Sequence, residues 1–327
     1  MSDTLLAARE PLDRALHARW RGQPDPLDRV AGYALVPAGK MIRPVLTLEA
    51  VRCVGGVPED VAELALAVEY LHVASLVHDD IIDGDGVRRG RPSVPAAFGI
   101  PAAVVAGDGM ILHTFATLAA RRPAGVPDGA VVAAVAALAE AGLGLCRGQL
   151  LEAELTGDLT CPVDRYLAMV ELKTGALFEA ACGVGAILGG GRAEWVEALS
   201  AYGRLLGSAF QIRDDLLGFD GAAAPTGKPQ DSDLRNRRPT LPVLLAHRRA
   251  PAEARRRLEE LYRGAGADGD PYAELLSIVA SAGGREAAED VAAEVIARAR
   301  ACLAVLPPGP GVTALEEFAD YASGRRF

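Results

Sequence analysis

The chain has 327 residues, of which 50% are hydrophobic and 24% are charged, an ordinary balance for a soluble globular protein. Its formal net charge of −9, with no basic face in view, argues against nucleic acid as a partner. Aromatic residues make up only 5% of the chain and strand-forming residues rarely alternate, which predicts an all-α protein with a large buried core.

The composition also bears on compartment and domain organisation. The cysteines form no CxxC pair, which predicts reduced thiols in a cytoplasmic protein. The N-terminus carries early acidic residues and does not have the shape of a signal peptide. The longest apolar stretch, Ala130 to Cys146, is interrupted by Glu140, so we interpret it as a buried helix rather than a membrane span. Because no shift in composition marks a boundary, residues 1–327 are predicted to form a single domain.

The first predicted elements surround a short basic turn. Residues 1 to about 36 are predicted to be helical, with prolines as breaks. The turn Pro37–Pro44 carries Lys40 and Arg43 and opens the next helix. A glycine- and proline-containing loop then leads into a helix that runs from about Val61 into an acidic cluster.

The stretch Leu71–Gly90 contains that cluster. Its apolar helix ends in closely spaced carboxylates, and Asp79 and Asp83 project from one helical face because they are four residues apart. Carboxylates at the negative end of a helix dipole repel each other, so a positive group should offset them. A hard cation such as Mg2+ binds carboxylates together with phosphates, and Arg88 and Arg89 suit the phosphates. For a lone Asp-Asp pair a solvated helix end is the simpler interpretation, but this cluster is dense and a basic pair follows it.

Histidine and lysine usage adds further candidates. His72 lies seven residues before Asp79 on a similar helical face, where it either fills the core or faces the carboxylates. Arginine supplies almost all of the 34 basic residues, and the only lysines are Lys40, Lys173 and Lys228. Each lies beside glycine or threonine. Where arginine provides the general charge, a retained lysine indicates a need for a compact ammonium group, as in phosphate binding.

The middle of the chain is predicted to be helical with polar interruptions. Pro92–Pro101 is predicted to be a loop, and a helix is predicted to begin near Ala102. The alanine-rich helix that follows leads into Arg147–Glu152, where polar groups interrupt an apolar pattern. One long helix is predicted over Tyr166–Leu188.

A second acidic helix end follows. The helix that begins near Ala193 ends in Asp214 and Asp215, and glycines and basic residues come after it. Two acidic helix ends, each followed by basic residues, are hard to explain as independent solvated ends. If the helices pack as a bundle with both ends at the same opening, the two ends form a cation-bridged polyphosphate site. The polar residues 219–239 are interpreted as a loop that closes over a ligand, against the alternative of an ordinary connection. From Thr240 onward, helices are predicted to alternate with loops.

Residues 36 to about 245 resemble the trans-type isoprenyl diphosphate synthases, or polyprenyl synthetases. The family's first aspartate-rich motif is similar to Asp79-Asp-Ile-Ile-Asp83 followed by Arg88-Arg89-Gly90, and its second to Phe210-Gln211-Ile-Arg-Asp214-Asp215. Its homoallylic-substrate motif resembles Gly39-Lys40 with Arg43-Pro44. Further matches in order and spacing are Lys173-Thr174, Gly227-Lys228 and Thr240-Leu-Pro242.

The resemblance implies an all-α single helical bundle around a deep central cavity, usually a homodimer, which condenses isopentenyl diphosphate head-to-tail with an allylic diphosphate. It assigns Mg2+ on the allylic diphosphate to the aspartates, Asp79, Asp80 (less directly), Asp83, Asp214 and Asp215. The assisting cations would be Arg88, Lys173 and Lys228. The residues that would hold isopentenyl diphosphate are Lys40, Arg43, His72 and Arg89. Thr174 and Gln211 would face the developing allylic cation, and Phe210 would line the homoallylic site.

Two positions depart from the family pattern. Gly218 stands where the second motif has its last aspartate, which puts one carboxylate ligand in doubt and makes Asp220 a candidate substitute. Arg238, a predicted substrate-binding residue, stands where a lysine is common, and it keeps the sign of the charge.

Product length is expected to follow from cavity depth. In the family, bulky residues four and five positions before the first aspartate form the cavity floor. Here these are the small Ser75 and Ala74, with the medium-sized Leu71 a turn deeper. We therefore expect a twenty-carbon product, geranylgeranyl diphosphate, with thirty to forty carbons as the alternative.

Two other functions compete. A class I terpene cyclase would need a second metal motif with Asn, Ser and Glu, whereas this chain has Asp214-Asp215 with Lys228. A non-catalytic subunit of a heteromeric synthase should have lost carboxylates or lysines. In this chain only Gly218, which replaces the last aspartate of the second motif, is such a loss.

Overall fold

The computed structural model describes residues 3–120, 125–219, 232–264 and 270–324. Within these ranges the chain is almost entirely helical, which confirms the predicted all-α class. A small antiparallel hairpin pairs Val87–Arg88 (β1) with Arg91–Pro92 (β2). The helices are α1 Asp3–Trp20, α2 Pro26–Leu35, α3 Ile42–Cys53, α4 Pro58–Asp83, α5 Val94–Phe98, α6 Ile100–Ala120, α7 Asp128–Leu155, α8 Val163–Val170, α9 Ala176–Leu188, α10 Ala193–Leu217, α11 Ser232–Arg235, α12 Leu241–Arg249, α13 Ala252–Tyr262, α14 Pro271–Ser281, α15 Gly284–Cys302 and α16 Pro310–Ser323.

The main core surrounds α9, which packs against α3, α7 and α10 and is buried along nearly its whole length. Glycine lets α10 approach the start of α9 closely. A Cβ added at Gly207 would lie 2.9 Å from Cα of Gly175, closer than side chains pack, so these backbones meet directly. The close crossing brings the middle of α10 beside the residues that open α9.

Helix α4 ends at its acidic cluster because a glycine caps it there. Gly84 adopts the left-handed conformation, with φ of 68°, and its N–H donates to the carbonyl of Asp80. The β1–β2 hairpin then folds the chain back, so that Arg88 returns to the end of the helix.

A π-helical turn, Glu171–Gly175, joins α8 to α9. The long helix predicted over Tyr166–Leu188 is confirmed as a continuous helical segment, but its middle is this π-helical turn. The wider turn carries Lys173 and Thr174, and π-turns of this kind are frequent at functional sites.

The loop predicted over Pro92–Pro101 was also wrong. It contains α5, and α6 already begins at Ile100. Both helices have a proline in the first turn, where the missing N–H has no helical partner to lose.

Helix α7 is buried on one face only, which corrects the prediction of a buried helix over Ala130–Cys146. Its buried residues recur at helical spacing, among them Ala134, Leu138 and Ala141. On the opposite face Val132 is 67% exposed and Leu150 is 69% exposed. Helix α6 has a similar apolar outer face, where Leu112 is 68% exposed.

Three of the described helices are long and apolar enough to cross a membrane by length and composition: α4, α6 and α7. In the folded chain α4 lies inside the bundle, and two thirds of its apolar window is buried. The absence of a membrane span stays a prediction.

Candidate active site

A cavity of about 1160 Å³ opens between α4, α7, α9, α10 and the turn before α3. A smaller cavity of about 400 Å³ adjoins it at the ends of α4 and α10. The residues that line both are Leu76, Asp79, Arg88, Lys173, Thr174, Gln211 and Asp214. The smaller cavity adds Asp83, Glu152 and Arg238, and the larger adds Lys40, Arg43, His72, Arg89 and Phe210. Segments that are far apart in the chain thus meet in one place.

The carboxylates at the end of α4 point in different directions. Asp79 and Asp83 both line the smaller cavity, as expected for residues one turn apart. Asp80 is only 1% exposed, and its Oδ1 accepts a hydrogen bond of 2.5 Å from Nε of Arg88. Asp80 therefore positions Arg88, and the geometry does not support a direct role for Asp80 in metal binding.

The carboxylates of the smaller cavity fit a hard cation. Burial raises the pKa of Asp79, and the charges of Asp83 and Glu152 raise it further, while Lys173 opposes them. A divalent cation would relieve both the burial cost and the repulsion. Within the described ranges no three Asp, Glu, His or Cys side chains gather tightly enough to hold a metal unaided. Mg2+ usually binds through one or two carboxylates together with substrate phosphates and water, so Asp79, Asp83 and Asp214 suit it.

The two carboxylates at the end of α10, Asp214 and Asp215, have different surroundings. Asp214 is exposed to both cavities. Asp215 is 7% exposed, and both of its oxygens accept hydrogen bonds from protein donors, namely Tyr166, Gln211 and the backbone of Leu241. Burial raises the pKa of Asp215 to about 7 against these bonds. Asp215 also lines the smaller cavity, so the metal ligand predicted at Asp215 stays a prediction, although both of its oxygens already accept hydrogen bonds within the protein.

Gly218 supplies no carboxylate to the site. Its carbonyl accepts a hydrogen bond from the Tyr272 hydroxyl, which ties the end of α10 to α14. The candidate substitute Asp220 and the predicted cation Lys228 lie outside the described residues, as does most of the predicted closing loop.

Glu152 is a site residue that the sequence interpretation missed. Its Oε2 lies 2.5 Å from Nζ of Lys173 and 3.7 Å from Nε of Arg238. Arg238 also pairs with Asp83. The signal was available, since Glu152 is one of the polar residues that interrupt the apolar pattern of α7.

The larger cavity holds a second group of cations. Arg43 is partly buried, and its guanidinium lies 4.5 Å from the ring centre of Phe178. Burial lowers its pKa to about 10, while the charges of Glu69 and Asp214 raise it. Nε of Arg43 is buried without a hydrogen-bond partner among the described residues. A partly buried cation in this state favours an anionic ligand. Glu69 is a second residue that the sequence interpretation missed.

Arg89 and His72 complete this group. Arg89 has a positive φ of 53°, and a Cβ added at Gly39 would lie 2.5 Å from its Nη2, so a side chain in the turn before α3 would displace the Arg89 guanidinium. Burial lowers the pKa of His72 well below 6.5, and the arginine charges lower it further. His72 is therefore a neutral hydrogen-bonding group near neutral pH.

Of the residues predicted to set product length, the cavity wall contains only one. Ser75 lines the larger cavity, but Ala74 and Leu71 do not. Ala74 is fully buried and Leu71 is 4% exposed. A Cβ added at Gly142 of α7 would lie 3.9 Å from the Leu71 methyl groups, so Leu71 faces α7 in the helix packing.

Thr174 and Gln211 meet across the boundary between the cavities. The Thr174 hydroxyl donates to Oε1 of Gln211 at 2.9 Å, and both residues line both cavities. Phe210 packs against Phe178, with 5.3 Å between ring centres, in the wall of the larger cavity.

Comparison with known proteins places these features in a family. A family model described as polyprenyl synthetase matches residues 24–279. The short chain isoprenyl diphosphate synthase of Methanothermobacter thermautotrophicus is 36% identical over 302 residues, which cover 92% of this chain and 91% of that protein. The nonaprenyl diphosphate synthase of Mycobacterium tuberculosis is also 36% identical, over 88% of this chain and 83% of that protein.

A solved structure is similar over the whole chain. The polyprenyl synthase from Caulobacter crescentus, complexed with calcium and isoprenyl diphosphate, superposes with a TM-score of 0.88 at 30% identity. The match covers 99% of this chain and 96% of that one.

Proposed function

The chain belongs to the polyprenyl synthetase family and is a trans-prenyltransferase, and on this premise we propose that it condenses isopentenyl diphosphate head-to-tail with an allylic diphosphate in the presence of Mg2+, giving geranylgeranyl diphosphate. The observation that carries the proposal is the pairing of two sites. A cavity with facing carboxylates and cations adjoins a second cavity that is lined by the cations Lys40, Arg43 and Arg89. Two diphosphates can therefore bind side by side.

The smaller cavity suits the allylic diphosphate. Mg2+ held by Asp79, Asp83 and Asp214 would neutralise the diphosphate and help the carbon–oxygen bond to ionise. Arg88, Lys173 and Arg238 line the same cavity and can pair with the remaining phosphate oxygens. Arg238 would exchange its pairing with Asp83 for the ligand. Charge neutralisation from fixed groups lowers the barrier without any proton transfer from the protein.

The boundary between the cavities suits the allylic cation. Thr174 and Gln211 place oxygen atoms there, and oxygen lone pairs stabilise a developing positive charge. Apolar side chains such as Leu177, Phe178 and Phe210 line the larger cavity beyond them. These side chains exclude water, which would otherwise quench the cation.

The larger cavity suits isopentenyl diphosphate. Lys40, Arg43 and Arg89 would bind its diphosphate, and the neutral His72 would add a hydrogen bond. After the carbon–carbon bond forms, the departing diphosphate can accept the proton lost from the new chain. No side-chain base is then required.

A product of twenty carbons is proposed from the cavity wall. Ser75 is small and lines the cavity, so the growing chain can pass it, which argues against ten- and fifteen-carbon products. The alternative of thirty to forty carbons stays open, since a relative named for nonaprenyl diphosphate is as similar in identity as one named for short chains.

A cytoplasmic homodimer is proposed for the assembled enzyme. All five cysteines lie within the described ranges and are free thiols, as in reducing compartments. The apolar outer faces of α6 and α7 are large enough in extent to favour a partner, and a second copy is the partner typical of this family.

Substitution of Asp79 tests the proposal. Asp79→Asn should slow the formation of product from isopentenyl diphosphate about 100-fold or more, because the variant loses a charge that holds Mg2+ against the diphosphate. Asp164→Asn is the control, since Asp164 is exposed in the first turn of α8. Radiolabelled isopentenyl diphosphate reports the rate, and an Asp79→Asn variant as fast as the wild type would refute the proposal.

A further inference from the structure

A chain of hydrogen bonds runs behind the reaction site from Tyr166 to Thr174. The Tyr166 hydroxyl and the backbone N–H of Leu241 both donate to Oδ2 of Asp215, the latter at 3.1 Å. Nε2 of Gln211 donates to Oδ1 of the same carboxylate at 3.1 Å. The Thr174 hydroxyl then donates to Oε1 of Gln211 at 2.9 Å. Four separate segments, α8, the π-helical turn, α10 and the start of α12, contribute one link each.

The arrangement is buried at its far end and open to the cavities at its near end. Tyr166 is 2% exposed, Leu241 is fully buried and Asp215 is 7% exposed. Tyr166 and Asp215 reach the wall of the smaller cavity only, whereas Gln211 and Thr174 line both cavities. Burying a carboxylate is costly unless it is fully hydrogen-bonded. Both oxygens of Asp215 accept hydrogen bonds from protein donors, so the protein itself offsets much of the cost of burying this group.

The carboxylate determines which way the Gln211 amide points. Nε2 of Gln211 lies 3.1 Å from Oδ1 of Asp215, and Oδ2 of the same group already accepts two hydrogen bonds, so the NH2 group of Gln211 faces Asp215. The amide oxygen then points the other way, to Thr174 and the cavities. Because Thr174 uses its hydroxyl proton on that oxygen, the Thr174 oxygen keeps its lone pairs for the cavity. The Gln211 and Thr174 side-chain oxygens therefore lie together at the boundary between the two cavities.

We propose that Asp215 and Tyr166 are positioning residues that hold the Gln211 amide with its oxygen toward the allylic cation. The inference rests on the proposed function and deepens it, because it assigns the second aspartate of α10 to orientation instead of metal binding. A reversed amide would present a partly positive NH2 group to the developing cation and raise the barrier to ionisation.

Asp215→Asn tests the orientation directly. The new amide keeps the shape of the carboxylate and will turn its oxygen to Tyr166 and Leu241, so that its NH2 group faces Gln211. Gln211 then reverses. We expect kcat to fall about 10- to 100-fold, while KM for isopentenyl diphosphate and the Mg2+ concentration for half-maximal rate stay within about twofold of the wild type.

Tyr166→Phe is the second variant, and it keeps the packing but removes one donor to Asp215. It should lower kcat in the same pattern by a smaller factor. Tyr202→Phe is the matched control, because Tyr202 is equally buried and its hydroxyl donates to the carbonyl of Leu315 at 2.6 Å, in another part of the core. That control should leave kcat unchanged.

A binding measurement gives a readout that does not depend on turnover. A tertiary-ammonium analogue of the allylic cation, bound together with inorganic diphosphate and Mg2+, should bind Asp215→Asn at least about tenfold more weakly than the wild type. Inorganic diphosphate and Mg2+ alone should bind both proteins equally. Weaker binding of diphosphate and Mg2+ themselves would make Asp215 a metal residue and overturn the inference.

The possible failures are distinguishable. A wild-type protein that forms no product from any allylic diphosphate would refute the proposed function. A wild type that condenses its substrates, with an Asp215→Asn variant of unchanged kcat and unchanged affinity for the ammonium analogue, would refute the positioning role alone.

Discussion

Glu152 joins two cations of the proposed allylic site. It contacts Lys173 and Arg238, and its side chain is 14% exposed. The charges therefore interact in a partly dehydrated setting, where attraction is stronger than at the surface. Without the Glu152 carboxylate, Lys173 and Arg238 would lose a shared counter-ion. Their side-chain positions would then be less well defined before the substrate binds.

Glu152→Gln should lower kcat/KM for the allylic diphosphate about tenfold, which corresponds to about 1.4 kcal/mol of transition-state stabilisation. Glu154→Gln is the control on the same helix, because Glu154 is 63% exposed and pairs with the half-exposed Arg165. Exposed pairs contribute little, so the control should match the wild type. Steady-state kinetics at saturating isopentenyl diphosphate compares them, and equal values for both variants would contradict a role for Glu152.

His72 should leave a signature in the pH dependence of stability. Its pKa is held well below 6.5 by burial and by neighbouring arginines, whereas in the unfolded chain it titrates near 6.5. As the pH falls below about 6.5 the unfolded state binds the additional proton, so the free energy of unfolding decreases. His72→Asn should remove part of this decrease, measured by urea unfolding at about pH 5.5 and pH 7.5. An identical decrease in both proteins would contradict a depressed pKa.

Ser75 and Ala74 should respond differently to enlargement. Ser75→Phe places a ring in the cavity wall and should shorten the product by at least one five-carbon unit, as seen by mass spectrometry. Ala74 is fully buried outside the cavity wall, so Ala74→Phe should chiefly destabilise the fold by about 1–3 kcal/mol through overpacking. The opposite result would contradict this assignment of the cavity wall: a stable Ala74→Phe enzyme that makes a shorter product, and a Ser75→Phe enzyme whose product length is unchanged.

At the scale of elements, the contact between α7 and the π-helical turn positions Lys173. A Cβ added at Gly148 would lie 2.5 Å from the backbone N of Lys173, so only glycine allows this approach. Gly129, in the first turn of the same helix, has open space around it.

Gly148→Ala should lower both activity and stability, the latter by about 1–3 kcal/mol, because the turn that carries Lys173 must shift. Gly129→Ala should leave activity unchanged and raise stability by about 0.4–1 kcal/mol, since alanine restricts the unfolded chain. Thermal unfolding and steady-state kinetics measure both effects. Equal stability of the two variants would contradict the close contact.

The elements show what could be predicted from the chain and what could not. Apolar periodicity and glycine signals located the acidic ends of α4 and α10, because those signals are local. The π-helical turn escaped prediction, since one extra residue in a turn hardly changes the pattern of apolar residues. Asp214 and Asp215 look equivalent in sequence, and only the packing of α8 and α12 against α10 shows that Asp215 is engaged within the protein.

At the scale of the whole molecule, the outer faces of α6 and α7 are the clearest exposed apolar surface among the described residues. Their outward side chains include Val105, Leu112, Val132, Leu143 and Leu150. Exposed apolar patches of this extent mark association surfaces on soluble proteins. Both faces of α7 are apolar although only one of them is buried, so the composition of α7 alone suggested a fully buried helix.

Leu112→Glu combined with Val132→Glu should convert the proposed homodimer into monomers, because each charge would be buried at the proposed interface without a partner. Val305→Glu, at an exposed position after α15, is the control and should stay dimeric. Light scattering coupled to size-exclusion chromatography measures the mass. A double variant that keeps the wild-type mass would place the association surface elsewhere.

The most direct test of the central claim is product analysis with the purified wild-type protein. It would be incubated with Mg2+, isopentenyl diphosphate and each allylic diphosphate in turn, and the products identified by mass spectrometry, with a chelator as the control. We predict a linear diphosphate longer than the primer by whole five-carbon units, with twenty carbons as the main product, and no product once the metal is removed. A folded protein that forms no longer diphosphate, or that releases a cyclic hydrocarbon without using isopentenyl diphosphate, would contradict the account.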